Sequence, residues 1–399
     1  KRIDYLFSGE FATIPLGAQS ATVSDAFINL NFTPWANVMV GQFDAPFTME
    51  NRTIDKFLDF MERSITVRAF GFPANKDLGV MVHGLAPSRI FHYEVGIFNG
   101  DGINVRNPDN HFDLMGRAYV APLAVLGQSH GMHWPGEIWI GGSLWWGRRV
   151  EVSYDTPSLT TQAGVDLLPA QFGGSATTNA CGTGCRLVPN GELLKWAIEL
   201  NAPIGPLGFR FELVRNEGEG LGIYRPGETD EEKALPLSRV LSGNINRTGT
   251  AYYVQAWYWI LGNSQMLPTP GQEIPIRWQG FRKDKQHFPI GLYVTARYER
   301  VVLNQKEAPD PSRPDLMLSD AQRVTLGTVT FDSFGLGANL WISRHFRFSA
   351  NYFINYLDGD MPLVTGTVRF PPAGPLMQPT YPYYRTAQHE LLFRAAIAL

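Results

Sequence analysis

The sequence has few of the features that mark an enzyme, a nucleic-acid-binding protein or a helical membrane protein. No apolar stretch reaches the length of about 18 residues that a transmembrane helix needs. Lys and Arg number 34 against 37 Asp and Glu, so there is no basic surplus to attract nucleic acid. The one G-x-S-x-G match, "GQSHG" at 127–131, does not stand at a plausible hydrolase elbow between a strand and a helix. The composition therefore favours neither catalysis nor nucleic-acid binding.

Cysteine is nearly absent as well. Cys181 and Cys185 are the only two, four positions apart in "NACGTGCRL". In an oxidising compartment they could form a small disulfide loop, whereas in the cytosol they would be two free thiols. Two cysteines make a poor zinc site, and the eight histidines are scattered. We predict no metal and no cofactor.

What the sequence does have is a repeated alternation of apolar and polar residues. Segments 24–32, 111–123, 208–216, 291–301, 347–357 and 387–399 place apolar side chains on one face and mostly polar ones on the other. Alternation with period two predicts β-strands with one apolar and one polar face. Many of these strands reach ten residues or more, longer than the usual five or six of soluble proteins.

Long strands separated alternately by short turns and long polar loops are typical of a transmembrane β-barrel. The apolar face would then meet lipid, and the polar face would line water. A large soluble sandwich or propeller is the alternative, but its strands would be shorter. We predict an all-β chain: a single antiparallel outer-membrane barrel domain over residues 1–399, with a long extracellular loop at 147–190.

One loop combines many charges with a small apolar patch. In "GQFDAPFTMENRTIDKFLDFMERS" (41–64) a strand ends and a charged loop follows that also contains Phe57, Phe60 and Met61. A loop folded into a barrel lumen would narrow it and set an electrostatic filter, with the apolar residues as anchors. An external loop with a solvated charge run is an equally good interpretation of these residues alone.

Several segments resemble the phosphate-selective porin O and P family. They are 25–64 with its Phe-Met-Glu-Arg-Ser run, "KDLGVMVHG" (76–84), "FHYEVGIFNGDG" (91–102), 252–262, 291–303, 334–356 and 389–399. The resemblance implies a trimeric barrel of about 16 strands in the outer membrane of Gram-negative bacteria, of which roughly fourteen can be picked out. It also implies that the 44–66 loop folds into the pore. The predicted pore-constriction residues are Glu50, Arg52, Asp55, Lys56, Asp59, Glu62 and Arg63.

The charged residues that the alternation along each strand places on the inward face support phosphate selectivity less well. Capture of phosphate needs a surplus of fixed positive charge. Here the inward acids are at least as numerous as the bases, and pairs two or four apart on one strand, such as Arg210 and Glu212, could neutralise each other. The inward acids by strand phase are Glu10, Asp25, Glu94, Asp113, Glu199, Glu212, Glu299 and Glu390. The predicted lumen-lining residues are Asp113, Arg117, Lys195, Glu199, Arg210, Glu212, Arg297, Glu299, Arg347 and Arg394.

We therefore expect a porin for passive diffusion of small hydrophilic solutes or ions with weak charge selectivity, and no enzyme. The alternatives are a phosphate- or anion-selective porin and a structural barrel that binds a partner protein. The expected partners are outer-membrane lipid, two further copies in a homotrimer and small polar solutes, with no nucleic acid.

Overall fold

The computed structural model describes fourteen β-strands. It covers residues 2–10, 22–71, 75–105, 107, 109–125, 137–149, 161–162, 186–226, 239–262, 290–308, 326–343, 346–359 and 387–397. The strands are β1 (Arg2–Glu10), β2 (Thr22–Thr33), β3 (Ala36–Asp44), β4 (Lys76–Leu85), β5 (Phe91–Phe98), β6 (Asp113–Val120), β7 (Trp139–Arg149), β8 (Arg186–Ile204), β9 (Leu207–Pro226), β10 (Arg239–Leu261), β11 (Gly291–Glu307), β12 (Gly327–Ser343), β13 (Phe346–Gly359) and β14 (Gln388–Ile397).

The strands form one sheet in which each pairs with its neighbours in sequence. The order runs from β1 to β14, and every pairing is antiparallel, as in β10 with β11 and β13 with β14. This confirms the all-β antiparallel architecture. The count of about sixteen strands and the closure of the sheet into a barrel stay predictions beyond these fourteen strands.

The two faces of the sheet divide as the alternation predicts. Ile28, Ile97 and Leu336 point outward and are more than half exposed. On the opposite face Asn29 and His83 are buried and joined by a hydrogen bond of 2.8 Å. Apolar side chains outside and polar side chains inside is the arrangement of a sheet that meets lipid on one face.

The antiparallel order assigns each connection to one of two ends. Residues 34–35 and 205–206 are two-residue links at one end, which we call the short-turn end. Residues 45–75 and 99–112 join strands at the opposite end, the long-loop end. The 45–75 connection is longer than the 44–66 loop expected from the sequence, since β4 begins only at Lys76.

The long loop expected at 147–190 needs a correction at both of its ends. β7 continues to Arg149 and β8 begins at Arg186, so the first and last residues of the expected loop pair with neighbouring strands. The sequence did not indicate this start of β8, because Pro189 and Gly191 are residues typical of loops. In the structure both lie where the register between β8 and its neighbours is irregular. Cys181 and Cys185 lie outside the described residues.

The 45–75 connection contains two short helical segments. Asp55–Phe57 forms a 3-10 turn, and α1 spans Ile65–Phe70. No helix in the described part of the chain is long and apolar enough to cross a membrane.

Candidate constriction site

The 45–75 connection lies against the inner face of the sheet and begins with a turn that is hydrogen-bonded to the strands. Thr48 has a left-handed backbone (φ 68°). The amide of Thr48 donates to the Ser143 hydroxyl of β7 at 3.1 Å, and the amides of Met49 and Glu50 donate to the Glu212 carboxylate of β9. Three consecutive backbone donors are thus satisfied by the wall, which fixes the point where the loop turns inward.

Arg52 joins the loop to a chain of buried charges on the wall. Its guanidinium donates to both carboxylate oxygens of Glu94 on β5, at 3.2 and 3.1 Å, and neither side chain is exposed. Arg117 of β6 lies 3.9 Å from Glu94 and donates to Glu199 of β8 at 3.0 Å. The order Arg52, Glu94, Arg117, Glu199 alternates in sign, so each buried charge has an opposite neighbour.

The middle of the loop, residues 58–61, bonds to strands between β9 and β14. Asp59 accepts from Arg210 of β9 and from Gln255 of β10. Main-chain groups of the loop then bond to three further strands. These contacts are Asn339 to the Asp59 carbonyl at 2.7 Å, Arg347 to Leu58 at 2.7 Å, the Met61 amide to Asn351 at 2.8 Å and Arg394 to the Met61 carbonyl at 2.8 Å. One segment therefore contacts strands from β5 to β14, which requires the sheet to curve around it.

The apolar residues of the loop fasten it to the wall. Phe60 packs against Phe353 with ring centroids 5.4 Å apart, next to Gly335, where an added Cβ would lie 3.1 Å from the Phe60 ring. Phe57 stacks on Trp341 with centroids 6.2 Å apart. The small apolar patch seen in the sequence is therefore the underside of the loop, buried against aromatic side chains.

Glu50 and Glu299 hold the segment that leads into α1. The Glu50 carboxylate accepts from the Ser64 amide at 2.6 Å and from Arg297 of β11 at 3.1 Å. Glu299 accepts from the Ile65 amide at 2.6 Å and lies 2.7 Å from Arg297. The Ser64 hydroxyl caps the helix by accepting from Val67. One carboxylate of the loop, one of the wall and a capping serine thus fix the start of α1.

The edge of the loop formed by residues 54–63 keeps charges within reach of solvent. The Asp55 side chain is 72% exposed and pairs with Arg63 at 2.5 Å. Glu62 is exposed, and Lys56 is half-buried beside the Phe57 ring. Burial lowers the pKa of the Lys56 amine from its ordinary value. We call the four charged residues Asp55, Lys56, Glu62 and Arg63 the free edge; they are two acids and two bases, and the Arg63 side chain is 11% exposed.

The predicted constriction residues thus divide into two groups. Glu50, Arg52 and Asp59 are buried and bonded to the wall, whereas Asp55, Lys56, Glu62 and Arg63 belong to the free edge. Sequence reasoning treated all seven as one field of charges facing water. Burial of the first three was not visible from the sequence, because their partners come from strands up to 247 residues away.

The predicted lumen-lining residues all lie on the inward face, but their partners differ from those expected. Arg210 pairs with Asp59 of the loop, and Asp113 binds both terminal nitrogens of Arg149 on β7 at 2.6 and 2.7 Å. Residues two apart on one strand are about 6.6 Å apart, farther than directly opposite residues on adjacent strands at about 4.5–5.5 Å. Arg210 and Asp113 therefore pair with loop and cross-strand partners instead of the same-strand partners that spacing suggested, whereas Arg297 and Glu299, two apart on β11, do pair at 2.7 Å.

Sequence reasoning missed the uncharged members of the site. Ser143, Gln255, Asn339 and Asn351 hold the loop by hydrogen bonds, yet only charged residues were selected. Their signal was present, since all four occupy the inward phase of their strands. Among the described residues no group of three or more His, Cys, Asp or Glu side chains is arranged to hold a metal ion.

Comparison with known proteins gives the family. The sequence profile described as phosphate-selective porin O and P matches residues 1–358. A comparison with curated proteins finds no match. Among solved structures the chain is similar to outer-membrane expressed OmpT of Vibrio cholerae, with 11% identity and a TM-score of 0.43 over 85% of this chain and 71% of that one. It is also similar to in-vitro folded OmpT of Vibrio cholerae in its trimer form, with 13% identity and a TM-score of 0.45 over 90% and 76%.

The family match covers most of the chain, and the sheet has the outward apolar and inward polar faces of a membrane barrel. The chain belongs to the phosphate-selective porin O and P family and is a porin of the bacterial outer membrane.

Proposed function

We propose that this porin forms a water-filled channel for passive diffusion of small hydrophilic solutes and ions, with weak charge selectivity and no catalytic step. The 45–75 connection is its constriction. The inward basic residues Arg52, Arg117, Arg210 and Arg297 each lie within ion-pair distance of an acid. The accessible charges of the free edge balance as well. A lumen with paired charges has no large net field to favour one sign of ion.

Planar bilayer recordings test this proposal. The reversal potential under a KCl gradient should lie near zero, and added phosphate should leave the current unchanged. A strongly anion-selective current that falls at low phosphate concentration would show that unpaired bases dominate the lumen and would overturn weak selectivity.

Phosphate or anion selectivity is the second candidate, and one observation favours it. Arg347 and Arg394 on β13 and β14 donate to the carbonyls of Leu58 and Met61. A carbonyl does not carry the full charge that would neutralise a guanidinium. The phosphate titration above separates the two candidates.

The oligomer is a second part of the proposal. We propose a homotrimer in outer-membrane lipid, in keeping with the family resemblance. The mass of the detergent-solubilised protein, corrected for bound detergent, tests it, and a monomer mass would contradict it. A barrel that holds a partner protein in its lumen is disfavoured, because the loop already lies across the inner face.

A further inference from the structure

The helix of the constriction segment is held at both ends by charged side chains of the wall. α1 has only six residues, so most of its backbone N–H and C=O groups lack helical partners. At its start the Ile65 amide donates to Glu299 of β11. At its end the Phe70 carbonyl accepts from the Lys195 amine of β8 at 3.1 Å. Two strands three positions apart in the sheet thus grip one short helix.

The surroundings of Lys195 make it a poor pore charge. The residue is 3% exposed. Its amine lies over the Trp145 ring at 4.6 Å from the centroid and 3.5 Å from Glu219 of β9. An ion in the lumen would therefore meet a lysine whose charge is enclosed by an aromatic ring, a carboxylate and the end of the helix.

The wall beneath α1 is built to receive it. Val214, Ala251 and Val301 belong to the inward phase of β9, β10 and β11, where polar residues are expected, and they form one buried cluster with Ile65 and Phe70. These apolar residues on a wall that otherwise faces water are explained if the helix stays on this patch and excludes water from it.

We infer that Lys195 and Glu299 are positioning residues that keep α1 docked on the wall and hence keep the free edge in the water path. Their charges fix the loop and take no direct part in selecting ions. This inference rests on the proposed constriction role of the 45–75 connection. Lys195 and Glu299 were expected to line the lumen, and the inference assigns them the different role of holding α1.

The test combines a structural and an electrical readout on the folded full chain. Trypsin cuts after arginine, and Arg63 and Arg68 lie in the segment that α1 holds in place. Lys195→Met should raise the rate of cleavage at these two sites on the order of tenfold, as expected for the loss of a hydrogen bond to a charged group. Single-channel currents of the same variant should show frequent closing events. Glu299→Gln, which removes the charge at the other end of the helix, should behave in the same way.

Two controls separate positioning from a general loss of charge or of fold. Lys306→Met removes the same charge at an exposed, outward position of β11 and should leave both readouts as in the wild type. Lys195→Arg keeps a charged donor and should restore most of the protection. A difference in gel mobility between unheated and heated samples of each variant confirms that the barrel has folded.

The inference is overturned if Lys195→Met and Glu299→Gln leave digestion and current noise unchanged, whatever happens to the reversal potential. A quiet, uncut channel with a reversal potential moved toward cations would make Lys195 a pore charge instead. If the wild-type protein conducts no current, the proposed function fails, while the digestion experiment still reports on the docking of α1.

Discussion

Replacement of Asp55 should move the ion preference of the pore toward anions. Asp55 is an exposed acid of the free edge, and its carboxylate pairs with Arg63 at 2.5 Å. The variant Asp55→Asn removes one negative charge and leaves Arg63 without this partner. Asn is nearly the same size, so the loop keeps its shape and the change is electrostatic.

The size of the effect follows from Coulomb's law. A unit charge acting on an ion about 5 Å away in a water-like dielectric contributes about 0.8 kcal/mol, or about fourfold in local ion concentration. Loss of the negative charge lowers the local cation concentration and raises the local anion concentration by this factor, so the anion-to-cation permeability ratio should rise by up to about sixteenfold at low salt. The shift should shrink near 1 M salt, where the screening length falls to about 3 Å.

Reversal potentials under KCl gradients at low and high salt measure this shift. Asp358→Asn is the matched control, because it removes the same charge at an exposed, outward position near the end of β13. Asp59→Asn gives the contrast within the loop, since Asp59 is buried against Arg210 and Gln255 and should alter loop docking first. An unchanged reversal potential in Asp55→Asn would refute the reasoning, because the free edge would then lie outside the water path.

Three further predictions concern the packing of the loop and its neighbour. Arg52→Met should destabilise the protein by up to about 3–5 kcal/mol in urea unfolding, because Glu94 loses its buried partner, and the double variant with Glu94→Gln should recover much of the loss. Gly335→Ala should cost about 1–3 kcal/mol in the same assay, because its Cβ would lie 2.6 Å from the Phe353 ring and 3.1 Å from the Phe60 ring packed on it; a fully stable variant would mean that this aromatic pair is not seated there. Burial raises the pKa of Asp101 in the 99–112 loop to about 7 from an ordinary value of 3.8. The folded state therefore binds this proton more tightly, so the stability of the loop should fall as pH rises from about 4 to 7, and Asp101→Asn should remove that dependence in hydrogen-exchange measurements.

The fold could be predicted from the sequence because one physical rule governs every strand. A segment with lipid on one side and water on the other must alternate, and segments such as 24–32 and 347–357 do so over their whole length. The ends of strands were harder to place. β8 continues through Pro189 and Gly191, residues that normally end a strand, because the register there is irregular and tolerates them.

The site could be predicted in composition but not in pairing. The sequence indicated the charges of the 45–75 connection and the inward phase of the wall residues; that they line a water path stays a prediction. It could not indicate that Arg52 pairs with Glu94 or that Glu212 binds backbone amides, because those contacts depend on how the sheet curves around the loop. Spacing along one strand says nothing about distances across the lumen.

The same contacts that hold the loop also limit its selectivity. The carboxylates of Glu212 and Glu50 accept hydrogen bonds from loop amides, so their negative charge holds the loop in place. Arg297 lies between two acids and therefore adds little net field to the lumen. Ion preference is then left to the four accessible charges of the free edge, which balance. Exchange of the four free-edge charges alone should therefore alter selectivity without altering the barrel, whereas exchange of the wall acids should release the loop before it changes the preference for one sign of ion.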